Sequence, residues 1–445
     1  MPNILIYMSD EHNPKYSSVY GNSVINTPNM EKLAKKGTVF ENAYCPSPLC
    51  RPSRSAFMSG RPDHEVQAYN NCNAISFDYP TYGEVLKNQG IYTAYTGKVD
   101  IYKNAEELGF SETFNLNDRN QPGDTNISRK PLEIREGSHK RANGYGIKEN
   151  PFQGDRETVK GAVNWLKNKS SDIDENWTLT VNTGAPHFPQ YVTEELWEMY
   201  EGKVDLPEYG GECRSARHPY AKDLRNHFET DYFNEEQTRG LRQGYYGCVT
   251  YVDRELGRLI DALEESGQRE NTVVIYTSDH GEMLGKFGMW WKCSLYEDSV
   301  RVPLIISGPG FESGKRIKTS VNLLDLQAAI FKALNKNYPQ NWWGTPLQNI
   351  NKNDKNKVTF AEYHGHGVRS SAYMLRKGPW KLLYNVDAPH QLFNLEEDPE
   401  ELNNILHNEP KVFKDLKNEL YNICSPEEES KKVDRFIEKQ LEQSI

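Results

Sequence analysis

"NILIYMSDEH", residues 3–12, is the stretch whose reading decides the fold. Ile4 to Met8 form a short apolar run with β-branched character, bounded by polar residues. That pattern predicts a strand buried on both faces, because a half-exposed strand would alternate instead. The run ends in Asp10-Glu11-His12. "TVVIYTSDHGE", residues 272–282, repeats the design and ends in Asp279-His280-Gly281-Glu282. In a parallel sheet, ligands sit beyond the carboxyl ends of the strands. Two strands that each deliver an acid there can jointly hold a divalent cation.

Working outward, helices and strands alternate. "TPNMEKLAKKG" (27–37) has Thr at the cap, Pro at the first helical position and Gly at the end. "RETVKGAVNWLKNK" (156–169) reads as a helix, "WTLTVNTG" (177–184) as a strand, and residues 235–267 as a long helix. "PLIISG" (303–308) is a further buried strand. The alternation predicts an α/β fold, a large mostly parallel sheet sandwiched by helices. Residues 112–155 and 202–235 are polar and read as long surface loops, which in such folds often carry function. After about residue 340 the texture changes. "SAYMLRKGPWKLLYNV" (371–386) reads as two antiparallel strands turning at Lys377-Gly378, and "KVFKDLKNELYNIC" (411–424) as an amphipathic helix. The expected organisation is a catalytic domain over 1–340 and a small α+β subdomain over 341–445.

The bulk properties narrow the function. The chain has 445 residues, is 36% hydrophobic and 26% charged, and carries a formal charge of −10 without a long basic run. Nucleic acid and anionic membranes are therefore poor partners. No window approaches the roughly 18 consecutive apolar residues of a membrane span. Seven cysteines, without paired metal spacing, read as reduced thiols. "MPNILIYMSDEH" lacks the features of a secretory leader. The expectation is a cytoplasmic protein, or an exported one whose leader has been removed. Its oligomeric state is left open.

"CPSPLCRPSRSAFMSGR" (45–61) carries the chemistry. Pro52 suits a first helical position, where its missing N–H is not needed, and Gly60 ends the helix. Cys50 would then lie at a helix N-terminus beside Arg51 and Arg54, a sulfur inside an anion site.

These motifs identify the chain as similar to the formylglycine-dependent sulfatase family of the alkaline phosphatase superfamily. "LCRPSR" matches the Cys-x-Pro-Ser-Arg signature and "SAFMSGR" its continuation. Residues 278–310 resemble the second signature region, "GK" (97–98) and "PHFP" (186–189) fall in the expected order, and "QLFNLEEDPEELNNI" (391–405) resembles the C-terminal ending. "SPLC", "YNN" and the Trp-Lys-x-Ser-x-Tyr-Glu run point toward the choline-sulfatase and phosphonate-monoester-hydrolase branch. The resemblance implies an alkaline-phosphatase-like fold. It also implies that a maturation enzyme oxidises Cys50 to formylglycine, whose hydrate attacks sulfur. Metal ligands are implied at Asp10, Glu11, Asp279, His280 and the converted Cys50. Ca2+ is the first expectation, with Mn2+ or Zn2+ as alternatives, since a mixed O/N shell suits each. Arg54 would brace the nucleophile, Lys98 and Lys292 would contact sulfate oxygens, and His187 would protonate the leaving oxygen.

Many family members carry His where this chain has Asp100, two residues after Lys98, so the group that assists sulfate release is left open between Asp100 and another residue. Asn71 matches an active-site Asn of the nearest branch. "EYHGHGVR" (362–369) is expected to read the substrate through His364, His366 and Arg369. The expected substrate is a small sulfate ester, a sulfated sugar first. The alternatives are choline sulfate, a phosphonate monoester or phosphodiester, or a non-catalytic role as a binder of sulfated ligands if Cys50 stays a thiol.

Overall fold

The computed structural model describes residues 1–73, 77–119 and 123–443. Eight strands build the main sheet: Asn3–Asp10 (β1), Thr38–Phe40 (β2), Tyr92–Lys98 (β3), Glu112–Asn117 (β4), Trp177–Pro186 (β5), Thr272–Ser278 (β6), Leu304–Ser307 (β7) and Lys315–Ile317 (β8). Their order is β8-β2-β7-β6-β1-β5-β3-β4. Only β7 runs against its neighbours. The central strand β1 lies parallel to both β5 and β6.

The sheet separates two hydrophobic cores. Along β1, Ile4, Ile6 and Met8 point into one, and Leu5 and Tyr7 into the other. This is the period-two alternation of a strand whose two faces are both covered. Helices α2 (Gln153–Asn168) and α3 (Glu235–Glu265) line the second core through Val159, Ala162, Trp165, Val252, Leu256 and Leu259. An Asn234–Gln237 capping box starts α3. Helix α4 (Leu323–Ala333) covers the first core with Leu326, Ala329 and Ile330.

A separate antiparallel sheet comprises Val358–Tyr363 (β9), Ala372–Lys377 (β10), Trp380–Asn385 (β11) and Gln391–Asn394 (β12). The β10–β11 hairpin pairs Lys377 with Trp380 and turns at Gly378-Pro379, one residue on from the expected Lys377-Gly378. Helix α5 (Pro410–Ile423) packs Leu416 and Leu420 on this sheet. Helix α6 (Pro426–Gln443) instead sets Val433, Phe436 and Ile437 against Val66, Ala68 and Tyr69.

Two stretches read as surface loops contain more order than expected. Residues 112–155 include β4, and 202–235 include a helix at Pro219–Phe228 that buries Tyr220, Leu224 and Phe228. Polar residues fill the exposed face of each element, which hides its periodicity. All seven cysteines are free thiols. Among the described residues, no helix is long and apolar enough to cross a membrane.

Candidate active site

The site assembles where β1, β3, β5 and β6 end. In the β1–β6 register Ser9 faces Ser278, so Asp10 and Asp279 emerge side by side. Asp10 also faces Pro186 across a bulge, which brings His187 alongside. Lys98 closes β3 after Gly97, whose φ of 88° and whose absent Cβ, only 1.9 Å from the Asn182 carbonyl oxygen, admit no other residue without displacement. Opposite these ends, helix α1 (Cys50–Ser59) points its N-terminus at the acids. The helix begins at Cys50, two residues before the position Pro52 suggested. The first four N–H groups of any helix lack internal partners, so Pro is tolerated in the third place too. The Ser53 hydroxyl donates to the Asp279 carbonyl at 2.6 Å and fixes the helix to the strand end.

Ligand atoms of Asp10, Cys50, Asp279 and His280 all lie within 4.8 Å of one another, and all four residues are buried. Cys50 Sγ is 3.2 Å from His280 Nε2. The other ring nitrogen of His280 meets the Gly281 carbonyl at 3.0 Å, so Nδ1 donates there and Nε2 is the nitrogen turned toward the cluster. Arg54 clasps both acids, with Nε 2.7 Å from Asp279 and Nη2 3.4 Å from Asp10. Lys98 Nζ pairs with Asp10. Glu11 is not among the four: its carboxylate turns to Lys292 at 3.1 Å and His187 at 3.3 Å. With Asp10 and His187 it forms an adjoining trio of ligating groups. Glu11 holds φ 68°, a left-handed conformation that only its surroundings impose.

His187 Nδ1 lies 2.6 Å from the Phe188 carbonyl and donates to it, leaving Nε2 to accept from Lys292 Nζ at 2.5 Å. Asp155 holds this segment by accepting from the Gly184 and Ala185 N–H groups at 2.7 and 2.8 Å.

The field at the cluster favours negative charge at the Cys50 position. Burial and Asp10 would raise the thiol, but Lys292, Lys98 and His280 outweigh them and hold it well below its ordinary value. Burial likewise works against the Asp10 carboxylate, yet Lys98, His187, Arg54 and His280 keep it well below the carboxylate range. For Lys98 and Lys292 burial is outweighed by the acids and by Cys50, and both ammonium groups are raised. Burial dominates at Glu11 and lifts it to about 8, against His187 and Lys292.

A cavity of about 530 Å³ opens beside the cluster, lined by Lys98, Asp100, Arg119, Asp155, His187 and Phe188 among others. The residues expected to read the substrate distribute differently. Asp100 lines the cavity but is tied up: its oxygens accept from Arg51 Nε at 3.1 Å and Arg119 Nη2 at 2.9 Å, with Lys98 at 3.4 Å. Asn71 does not face the cavity as a substrate donor. Its Oδ1 accepts the Arg51 N–H at 3.1 Å and so caps the helix that presents Cys50.

The "EYHGHGVR" expectation is corrected. His364 is fully buried between the Ser371 hydroxyl and Glu362, each at 2.8 Å. His366 pairs with Asp124 at 2.9 Å, and Arg369 makes a two-pronged pair with Asp223 at 2.7 and 2.8 Å. None of the three lines the cavity. Histidines in a Gly-rich stretch read as a reaching loop, but buried acids claim them, Glu362 from the same stretch and Asp124 from a distant one. Burial would lower the His366 pKa, yet Asp124 and Cys293 raise it from 6.5 to about 9. A raised histidine contributes stability that is complete below its unfolded pKa and is lost as pH rises through the folded value. His366→Ala should therefore cost about 3 kcal/mol near pH 6, typical of a broken buried pair. Urea unfolding of both proteins should show that difference shrinking as pH rises from about 6.5 through about 9.

Sequence reasoning missed Arg119, Arg141, Asp155 and Asn182, whose Oδ1 accepts from Arg54 at 3.0 Å. Arg119, Arg141 and Asp155 lie in or at the edge of the polar stretch read as functional loop, the one signal that pointed to them.

A family model described as "Sulfatase" matches residues 2–336, and one described as "N-sulphoglucosamine sulphohydrolase, C-terminal" matches 285–425. The chain is 32% identical over 427 residues to the choline-sulfatase of Rhizobium meliloti (strain 1021), covering 92% of this chain and 83% of that protein. It is 29% identical to arylsulfatase K of Bos taurus, covering 99% and 85%. Among solved structures, the phosphonate monoester hydrolase of Silicibacter pomeroyi superposes with a TM-score of 0.77 at 21% identity, over 95% of each chain. A chain solved in complex with its substrate D-glucosamine-2-N,6-O-disulfate gives 0.73 at 21% identity, over 99% and 98%.

Proposed function

The chain belongs to the sulfatase family, and from that premise we propose that it hydrolyses the sulfate ester of a small organic alcohol, a sulfated sugar first, with Cys50 as the residue matured to formylglycine. The observation that carries the reading is the convergence of Asp10, Cys50, Asp279 and His280 within 4.8 Å, ringed by Arg54, Lys98 and Lys292. The donor set fits a divalent cation: two carboxylates, an imidazole whose Nε2 faces the cluster, and the atom at position 50. The carboxylates suit Ca2+ first, and the imidazole admits Mn2+ or Zn2+. A cation held there supplies positive charge beside the nucleophile and the sulfate oxygens. The hydrated aldehyde supplies an oxygen nucleophile and a second hydroxyl through which the sulfated intermediate can collapse.

The chain's own residues do the rest. Arg54 holds Asp10 and Asp279 in place and puts a permanent positive charge beside position 50. Lys98 and Lys292, both kept protonated, offer N–H donors to sulfate oxygens as charge builds on them. His187 and Lys292 share a hydrogen bond at 2.5 Å, and the proton for the leaving oxygen comes from this pair, His187 donating it in the form that carries a proton on Nε2. His187→Ala should lower kcat on a sugar sulfate by about 100-fold or more. The loss should be much smaller on 4-nitrophenyl sulfate, whose leaving group needs no proton. Equal losses on both substrates would remove His187 from that role.

The test of the reading is direct. Protein co-expressed with a formylglycine-generating enzyme should yield a Cys50 peptide whose mass shows sulfur replaced by an aldehyde oxygen. It should hydrolyse 4-nitrophenyl sulfate faster than a matched aryl phosphonate ester, and at least one member of a panel of sulfated monosaccharides. Conversion without any sulfate hydrolysis would overturn the proposal.

A further inference from the structure

Arg141 is out of place by the standards of this site. Arg54 holds Asp10 and Asp279, Arg51 and Arg119 hold Asp100, and Arg135 holds Asp124. Half-buried Arg141 makes no hydrogen bond or ion pair from its side chain among the described residues. Its guanidinium instead sits in a box of three aromatic faces, 5.1 Å from the Phe188 ring centre, 5.2 Å from Trp291 and 5.8 Å from Phe228. Two of those rings belong to the catalytic surroundings. Phe188 follows His187, stacks on it at 4.3 Å and lines the cavity, and Trp291 precedes Lys292. Lys292 Nζ also lies 5.0 Å from the Phe188 centre. Arg141 and Lys292 therefore share one ring, at 5.1 and 5.0 Å from its centre.

We propose that Arg141 is the recognition site for a second anionic group, a carboxylate or a second sulfate, on the alcohol portion of the substrate; this rests on the sulfate-ester reading above and narrows it. The Arg141 guanidinium meets ring faces and no acceptor among the described residues, so its N–H groups are unspent, and such a planar fork matches carboxylate and sulfate oxygens in pairs. Burial, and then Arg135, push the Arg141 pKa down to about 10, so this charge lacks a counter-ion that a ligand would supply. The same box bears on choline sulfate. Aromatic faces that cage a quaternary ammonium are filled here by the protein's own cation, which repels a second one.

The experiment uses the matured enzyme and matched aryl sulfates. 3- and 4-Carboxyphenyl sulfate are compared with their neutral carbamoyl counterparts, and the aryl 1,3- and 1,4-disulfates separate a sulfate-reading site from a carboxylate-reading one. Choline sulfate is the cationic arm. The wild-type enzyme should favour at least one dianionic substrate over its neutral counterpart by about 10-fold or more in kcat/KM, and should turn over choline sulfate least efficiently. That preference should vanish in Arg141→Ala and return only in part in Arg141→Lys, which restores the charge without the fork. The readout is the ratio between substrates, so a general loss of folded enzyme does not mimic it. A preference that survives Arg141→Ala, no preference in the wild type, or choline sulfate as the best substrate would each overturn the inference while leaving the sulfatase reading intact. Failure to cleave any of these sulfates would instead overturn the sulfatase reading.

Discussion

Cys50→Ala should abolish turnover, by more than about 10⁴-fold in kcat/KM, while the folded structure persists. The side chain is fully buried against His280 and Asp10, yet it is small, and Ala leaves the helix N-terminus and its Asn71 cap in place. Cys50→Ser is the more informative variant. It offers an oxygen to the same cluster but only one hydroxyl, so a sulfated intermediate has no internal route to expel sulfate. Release would then depend on water attacking a hindered anionic ester, without the advantage of an intramolecular step. The expected result is a single turnover of 4-nitrophenyl sulfate, visible as a burst equal to the enzyme concentration, followed by a rate near zero. Steady turnover by the Ser variant at the wild-type rate would sink the two-hydroxyl mechanism, unless mass spectrometry finds the Ser itself converted.

Asp279→Asn should be nearly as severe. Asp279 accepts from the Glu11 and His280 N–H groups through Oδ1 and from Arg54 through Oδ2, and it belongs to the four-residue cluster. An amide keeps the shape but removes the charge that holds a hard cation and that balances Arg54. Metal content of the purified protein and kcat/KM should fall together, activity by about 100-fold or more, which corresponds to roughly 2.7 kcal/mol or more. High metal concentration should recover part of the rate. A variant that retains full activity, with an enzyme indifferent to chelators, would mean that the cluster is not a metal centre.

Much of the scaffold was legible because its causes are local. The Ile4–Met8 run is apolar throughout because helices cover both faces of β1, and the same holds for the Val273–Tyr276 run of β6. Acids directly after two such runs predicted that Asp10 and Asp279 would meet, since parallel neighbours end at the same edge. The helix at Cys50 was announced by its Pro and its terminating Gly. The hairpin at Gly378-Pro379 was marked, to within one residue, by its glycine between two apolar strands.

The side chains around the substrate were not legible in the same way. Asp100 stands where a histidine often does, and the sequence left its role open; the structure ties it to Arg51 and Arg119, 49 and 19 residues away. His364 and His366 were expected at the rim because Gly365 and Gly367 lend reach, but Glu362 and Asp124 draw them inward. Arg141 stood out in no motif, and only the packing of Phe188, Phe228 and Trp291 around it, from three separate segments, gives it a place. Strand positions, helix ends and the two-acid edge follow from hydrophobic periodicity and capping residues, which act between near neighbours and leave their mark in sequence. Which cation pairs with which carboxylate depends on close approach between residues that are often far apart in the chain, because a charge removed from water must find a partner wherever packing has put one. The sequence by itself therefore determined the sheet and the position of the sulfur at its edge, and only the tertiary structure decided which charges around that sulfur remain free for a substrate.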